Sequence, residues 1–357
     1  MFAHTRREAR DREQPAAKSL REEQARQEEE RAQQKRDELL PEPPTASQGP
    51  DRPTHLSGRS WWGVLKRTIS EFQKDNLTDW AAALTYYGVL SIFPGLLVLI
   101  AALRLSGENT MQRVIDELEQ VAPGAVGELM RSAVQNLQQS QSSTASLVAV
   151  IGLAAALWSA SGYVGAFMRA SNTIFDVPEG RPIWKTLPIR LGITVATGLL
   201  LIVISLTVVF TGGAARWLGD LIGLGSGAVM VWDIAKWPVL LLLVSLLFAI
   251  LYWASPNARQ GGFRWISPGG ILAVVIWVIV SLGFAFYVAN FSSYNRTYGS
   301  LATVIIFLIW LWISNIAVLL GAEFDAETQR ARAISAGHDA DKEPYMELRD
   351  TRKLDKA

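Results

Sequence analysis

The chain contains no cysteine and only three histidines among its 357 residues. The lack of cysteine excludes disulfides, thiolate zinc sites and a cysteine nucleophile, so only His, Asp or Glu could hold a metal. His4, His55 and His338 all lie in polar segments toward the ends of the chain. The first residues form a charged run without an apolar core, so the sequence predicts no secretory signal peptide.

Charge is also missing from the interior of the chain, most clearly between Arg296 and Glu323. At 1.5 Å per residue, this stretch is long enough to cross a bilayer core of about 30 Å as a single helix. The formal net charge is only +1, and half of all residues are hydrophobic. Because the charged residues are concentrated at both ends, the sequence predicts a central membrane domain and no nucleic-acid partner.

The sequence predicts an all-α integral membrane protein, a bundle of about six transmembrane helices within residues 59–327. The expected spans are residues 81–103, 147–168, 187–211, 237–252, 267–290 and 298–323. Trp61, Leu65, Ile69 and Phe72 recur at helical spacing, which predicts an interfacial amphipathic helix before the first span. Two short amphipathic helices are expected in the loop at residues 104–146, over the outer face.

The two ends of the chain are predicted to lie outside this membrane domain. Residues 1–58 form a charged cytoplasmic arm, either disordered or a solvated helix, whose part from Pro41 to Gly58 is a flexible linker. Residues 328–357 are expected to be a disordered cytoplasmic tail.

The distribution of Lys and Arg predicts that both termini are cytoplasmic. One set of span ends carries the larger group: Lys66, Arg67, Lys74, Arg169, Arg181, Lys185, Arg190, Arg259, Arg264, Arg330 and Arg332. The opposite set carries Arg104, Arg113, Arg131, Arg216, Lys236 and Arg296.

Small and polar residues form stripes along three of the expected spans, and such stripes favour contact between helices over contact with lipid. The candidate polar interior comprises Thr85, Tyr86, Tyr87, Ser91, Pro94, Trp158, Ser159, Gly162, Asn172, Asn290, Tyr294, Thr303, Ser314 and Asn315. Two interpretations remain open, in which these groups either line a path through the bundle or only bond one helix to another. Asn315 illustrates both, since an amide within a span needs either a partner or a wet cavity.

Four segments together resemble the YihY/virulence factor BrkB family of bacterial inner-membrane proteins, once labelled ribonuclease BN. They are DWAAALTYYGVLSIFPGLL at Asp79 to Leu97, LWSASGYVGAFMRASNTIFDV at Leu157 to Val177, YWASPN at Tyr252 to Asn257, and YNRTYGSLATVIIFLIWLWISNIAVLLGAEFDAE at Tyr294 to Glu327. The resemblance spans nearly the whole membrane domain and implies a helical protein of the plasma membrane. It implies no particular activity.

The older nuclease label is disfavoured because phosphodiester hydrolysis needs a metal held by clustered ligands or a pair of histidines. No cofactor is expected, and no catalytic or metal-binding residue is assigned. Spans without a central Asp or Glu also disfavour a carrier coupled to protons or sodium. The preferred hypothesis is transport or lipid handling through the bundle, with membrane lipids as partners. The alternative is a membrane scaffold whose N-terminal arm recruits a cytosolic partner, and the oligomeric state is open.

Overall fold

The computed structural model describes residues 45–50, 55–105, 144–209, 226–260, 267–290 and 300–354. Within these ranges the side chains of residues 92–105, 144–152, 209, 226–229, 233, 267, 289–290 and 300–303 are not described. The amphipathic helices predicted for the first outer loop fall mostly on residues 106–143, outside the described residues.

The described chain is helical and contains no strand, which confirms the predicted all-α class. A short 3-10 helix at Ala46–Gln48 precedes seven α-helices. Their bounds are α1 Gly58–Lys74, α2 Leu77–Leu105, α3 Thr144–Ile174, α4 Ile183–Val209, α5 Ser226–Ala254, α6 Ser267–Asn290 and α7 Ser300–Ser335. Each expected span therefore coincides with one of the six long helices, α2 to α7.

The six long helices contact one another in a cyclic order. Each helix from α2 to α6 packs against the next helix in the chain, and α7 closes the ring by packing against α2 and, more narrowly, α3. Helix α1 lies against α7 and α2. Consecutive helices are thus neighbours, as is usual in helical bundles.

Four of these helices are long and apolar enough to cross a membrane, counted over the described residues. The candidate spans are Ile183–Val208, Met230–Ala254, Pro268–Val288 and Val304–Ser335. Few side chains of the first three spans are buried within the isolated chain, and Leu199, Leu242 and Ile279 are exposed. Exposed aliphatic side chains in continuous runs are typical of helices whose solvent is lipid.

Helix α1 begins at a conventional cap, where the Ser57 hydroxyl accepts a hydrogen bond from the Ser60 amide over 3.2 Å. Ser at this position satisfies an amide that has no partner inside the helix. Val64 and Thr68 are buried, whereas Trp62 and Ile69 are exposed. An apolar face thus remains uncovered on α1 in the isolated chain.

The structure overturns the predicted disorder at both edges of the membrane domain. Helix α7 continues to Ser335, and residues 336–354 pack against the ends of the helices, so the predicted tail is wrong for residues 328–354. Ala46 is buried and its amide donates to the Tyr345 carbonyl, so the flexible linker is wrong for residues 45–50. Polar composition indicated disorder at both places, but the two segments are stabilised by contacts with each other and with α7.

Candidate functional site

Asn315 of α7 meets the predicted Thr85 of α2 and also Tyr163 of α3, a residue that the sequence analysis did not select. Its Oδ1 accepts from the Tyr163 hydroxyl over 2.9 Å, and its Nδ2 donates to the Thr85 hydroxyl over 3.1 Å. Thr85 in turn donates to the Ala81 carbonyl. Asn315 is 3% exposed, so here the amide joins three helices and does not face an open path. We call Thr85, Tyr163 and Asn315 the amide junction.

Other predicted polar residues also bond between helices. The Ser159 hydroxyl donates to the Leu90 carbonyl of α2 over 2.9 Å. The Ser314 hydroxyl faces α6, where it accepts from the indole nitrogen of Trp277 over 3.1 Å. Gly162 lies against Tyr87, with 3.1 Å between an added Cβ and the ring. These groups therefore fasten α3 to α2 and α7 to α6.

The remaining candidates do not form one interior surface. Tyr86 and Trp158 are each 61% exposed, and the Ser91 hydroxyl bonds within its own helix to the Gly88 carbonyl. Asn172 lies near the end of α3 and bonds to the loops there. Pro94, Asn290 and Thr303 lie in α2, α6 and α7, but their side chains and the whole of Tyr294 fall outside the described residues.

A second polar feature follows one face of α3. Trp158, Gly162, Gly165 and Arg169 succeed one another at intervals of four, three and four residues, which places them within about 60° around the helix axis. Tyr87 of α2 covers Gly162, and Arg190 of α4 covers Gly165, with 3.2 Å between an added Cβ and the Arg190 Cδ. Trp158 and Arg169 are exposed. We call these four α3 residues, with Arg190, the arginine face.

Neither Arg169 nor Arg190 has a carboxylate partner among the described residues. Arg190 donates from Nε and Nη2 to the Ser161 hydroxyl over 3.0 and 2.6 Å, and its guanidinium lies 5.6 Å from the centre of the Trp158 ring. The Arg169 guanidinium lies 6.0 Å from the centre of the Tyr87 ring. Arg190 packs on Gly165, one helical turn from Arg169 on the same face of α3, so the two positive charges disfavour each other. Aromatic faces offset part of a cation's desolvation, but they do not neutralise its charge.

Sequence reasoning missed the arginine face because it treated both residues as flanking cations. Helix α4 begins at Ile183, so Arg190 is two turns inside a candidate span. The available signal was the combination of Gly162 and Gly165 on the face of α3 that also carries Arg169. Its partner in α4 depends on how the two helices cross, which no local pattern specifies.

A cluster of ionisable groups surrounds Arg330 of α7. It lies at the end of the bundle where α1 contacts α7. The Arg330 guanidinium lies 2.8 Å from Asp176, 3.0 Å from Glu343 and 3.5 Å from Glu327, and it stacks over the Tyr345 ring at 4.8 Å. Arg330 is 5% exposed. A buried cation with several carboxylates fixes the position of the C-terminal segment through Glu343 and Tyr345.

Acidic groups outnumber the cations in this cluster, and burial together with this excess raises the pKa of two carboxyls outside the candidate spans. Burial, followed by the charge of Asp176, raises the pKa of Asp75 to about 7. Burial, followed by the charge of Glu343, raises the pKa of Asp176 to about 6. Asp75 borders a cleft of about 510 Å³, lined by Lys74, Asp75, Asn76, Asp79, Trp80, Ala83 and Thr173.

Asn257, the last residue of YWASPN, organises the loops at this same end. Its Oδ1 accepts from the Asp350 amide, its Nδ2 donates to the carbonyls of Asp350 and Pro178, and its own amide donates to Asn172 Oδ1. Asn257 is completely buried. One side chain therefore holds the α3–α4 loop, the α5–α6 loop and the C-terminal segment together.

The described residues contain no group of three or more His, Asp or Glu side chains placed to hold a metal ion. His338 is buried, and its Nε2 lies 2.8 Å from the Lys342 carbonyl in the C-terminal segment. The candidate functional features of the described chain are thus the interhelical hydrogen bonds, the arginine face and the ionic cluster around Arg330.

The family model described as virulence factor BrkB matches residues 68–345. The ribonuclease-like protein YfkH of Bacillus subtilis (strain 168) is 32% identical over 285 residues, which cover 79% of this chain and 98% of that protein. A UPF0761 membrane protein of Alteromonas mediterranea is 32% identical over 277 residues, covering 74% of this chain and 86% of the relative.

A second UPF0761 membrane protein, from Alkalilimnicola ehrlichii, is 32% identical over 307 residues, and the match covers 80% of this chain but 64% of the relative. The chain thus spans less than two thirds of that longer relative. No solved structure matches this chain.

Proposed function

This chain belongs to the virulence factor BrkB family, and we propose that it moves lipid between the leaflets of the bacterial plasma membrane. The observation that carries the proposal is Arg190, which lies inside a candidate span and has no carboxylate partner among the described residues. Arg190 lies about 10 Å inside this span, and charged residues within spans commonly mark the route of a substrate or ion.

The arginine face offers a route for an amphipathic molecule because it combines exposed cationic and aromatic groups with glycines. Trp158 lies about 16 Å from Arg169 along the axis of α3. A headgroup can therefore contact polar atoms at several depths while its acyl chains remain in the surrounding lipid. No carboxylate relay is needed for such movement.

The proposed arrangement has six spans, one for each helix from α2 to α7. Its support is the length of α2 and α3, which contain 29 and 31 residues, together with the four helices that already meet the criteria for a span. Helix α1 would lie at the membrane surface, with Trp62 and Ile69 in the headgroup region. An even number of spans places both termini on one side, and the excess of Lys and Arg favours the cytoplasm.

The proposal is non-enzymatic, although one relative is named ribonuclease-like. Hydrolysis of RNA by this chain would need an acid and base pair or a metal site. Purified full-length protein should therefore leave structured RNA intact in the presence of magnesium, manganese or zinc. Cleavage that persisted after removal of contaminating nucleases would contradict this part of the proposal.

Lipid movement can be tested in proteoliposomes that contain a fluorescent phospholipid. Dithionite bleaches only the outer leaflet, so wild-type protein should raise the bleached fraction above that of empty liposomes. Gly165→Leu, which displaces Arg190 from the arginine face, should reduce this excess. Gly192→Leu is the matched control in α4, because nothing lies within 4 Å of an added Cβ there. Equal bleaching with wild-type protein and empty liposomes would exclude the proposed movement.

The scaffold hypothesis remains a second candidate because the root of the N-terminal arm is anchored. Arg332 donates to the Pro50 carbonyl over 2.7 Å, and Thr45 and Ser47 donate to Glu347. Deletion of residues 1–43 spares these contacts, whereas deletion through Gly58 would remove them. A cellular phenotype that is lost with residues 1–43, while lipid movement persists, would favour the scaffold.

A further inference from the structure

We propose that the arginine face is a binding site for the phosphate of an anionic phospholipid, with Arg169 and Arg190 as its two cationic contacts. This inference rests on the proposed function, because it names the class of lipid that would be handled. It concerns equilibrium binding, however, and is tested separately from movement between leaflets.

Charge is the first argument for a phosphate ligand. Arg190 packs on Gly165, one helical turn from Arg169 on the same face of α3, and no carboxylate among the described residues lies within ion-pair distance of either arginine. By contrast, the buried Arg181 and Arg330 of the described chain are paired, with Glu179 and Asp176 respectively. Two unpaired guanidiniums in one place are stabilised by an anion that both can contact.

The second argument is the depth of the two arginines, measured along the helices from the end of the bundle. Arg169 lies five residues before the end of α3, and Arg190 lies seven residues after the start of α4. These positions correspond to about 8 and 10 Å from the same end of the bundle. Both guanidiniums therefore lie near the depth at which a bilayer changes from headgroups to acyl chains.

The hydrogen bonds of Arg190 are the third argument. Ser161 is fully buried and binds Nε and Nη2, which holds the guanidinium in a fixed orientation. Nη1 has no acceptor among the described residues. Arg169 is exposed, so its donors are accessible. A phosphate diester, whose two non-bridging oxygens share one negative charge, can accept from both groups while Trp158 contacts an acyl chain.

Binding can be measured by the fluorescence anisotropy of labelled phosphatidylglycerol added to purified full-length protein in a neutral detergent. Unlabelled phosphatidylglycerol should compete, and diacylglycerol, which has the same chains but no phosphate, should not. Glycerol 3-phosphate and inorganic phosphate test whether a soluble anion suffices. Competition by inorganic phosphate at the same concentration as the lipid would overturn the assignment of a phospholipid.

Substitutions of the two arginines test whether phosphatidylglycerol binds at the arginine face. Combining Arg169→Gln with Arg190→Gln should weaken phosphatidylglycerol binding by at least about tenfold. The double Lys variant, which keeps both charges, should bind more tightly than the double Gln variant. Arg259→Gln is the matched control, since it removes an exposed arginine paired with Glu347 at the same end of the molecule. Unchanged binding in a double Gln variant with wild-type thermal stability would refute the site.

The competition experiment with wild-type protein stands even where the double Gln variant does not fold. If diacylglycerol competes as well as phosphatidylglycerol, the phosphate has no role and the inference fails. Phosphatidylglycerol binding without dithionite-detected movement would instead preserve this inference while excluding the proposed function.

Discussion

The Tyr163 hydroxyl donates a hydrogen bond to Asn315 Oδ1 over 2.9 Å, joining α3 to α7 inside the bundle. Because Asn315 Nδ2 also donates to the Thr85 hydroxyl, both the oxygen and the nitrogen of the amide are hydrogen-bonded. These bonds favour a role for Asn315 in joining helices over a contact with a substrate. The amide junction and the arginine face lie on different sides of α3.

Asn315→Leu should lower stability while leaving the arginine face intact. The substitution leaves the hydroxyls of Tyr163 and Thr85 without their partner, and we expect a loss of about 1–2 kcal/mol. Tyr163→Phe in the same chain should recover part of this loss because it removes the unpaired hydroxyl. Unfolding of both single variants and the double variant in mixed micelles gives the coupling energy. Strict additivity would mean that the bond contributes nothing.

Gly321→Val should be more disruptive than the same change at Gly283. At Gly321 an added Cβ would lie 2.6 Å from the Gly269 carbonyl oxygen and 2.7 Å from Ala273 Cβ, so α6 and α7 could not keep their separation. We expect a cost of about 3 kcal/mol or more at this position. Nothing lies within 4 Å of an added Cβ at Gly283. Equal melting temperatures for the two variants would contradict the close crossing.

The positions of the helices were predictable because charge and hydrophobicity differ sharply between spans and loops. The end of α7 was not, since residues beyond Glu327 have the composition of a solvated tail. Their order comes from nonlocal partners: Asn257 binds Asp350, and Arg330 binds Glu343. Amino-acid composition indicates the conformational entropy that a segment loses when it becomes ordered, but it does not show the contacts that offset this loss.

The candidate site was predictable only in part, for a similar reason. Spacing placed Thr85, Gly162 and Asn315 on helix faces that do pack together. The same spacing also selected Tyr86, which is exposed. Arg190 was counted with the flanking cations because a sequence pattern gives no depth for a residue near a helix end. Its environment depends on the crossing of α3 and α4.

Asp75→Asn should raise the melting temperature at pH 7.5 more than at pH 5. The folded-state pKa of Asp75 is about 7, above its ordinary value of 3.8, because of burial and then the charge of Asp176. A folded state that holds the proton more tightly is favoured at low pH, and this contribution is lost as pH rises from about 4 through 7. Asn cannot ionise, so the variant avoids the loss.

The exposed Asp341→Asn variant is the control for this pH profile. Its difference in melting temperature from wild-type protein should be the same at both pH values. If Asp75→Asn behaved in the same way as Asp341→Asn, the acidic cluster would not penalise ionised Asp75.

Asn257→Ala should release the C-terminal segment. The substitution removes three side-chain hydrogen bonds, two of them to the Asp350 backbone, in a fully buried position. We expect a loss of about 2–3 kcal/mol. Limited trypsin digestion should cut after Arg352 or Lys353 faster than in wild-type protein. Arg259→Gln, which breaks an exposed ion pair with the same segment, should change neither measurement appreciably.

Single cysteines test the proposed topology directly, because the natural chain has none. With both termini in the cytoplasm, the loop at residues 104–146 faces outward and Ser335 faces inward. In intact cells a membrane-impermeant maleimide should therefore label Ser142→Cys and spare Ser335→Cys. Ser335 is exposed at the end of α7, so its thiol should react once the membrane is permeabilised. Labelling of Ser335→Cys in intact cells, with Ser142→Cys protected, would reverse the orientation and place the arginine face toward the outer leaflet.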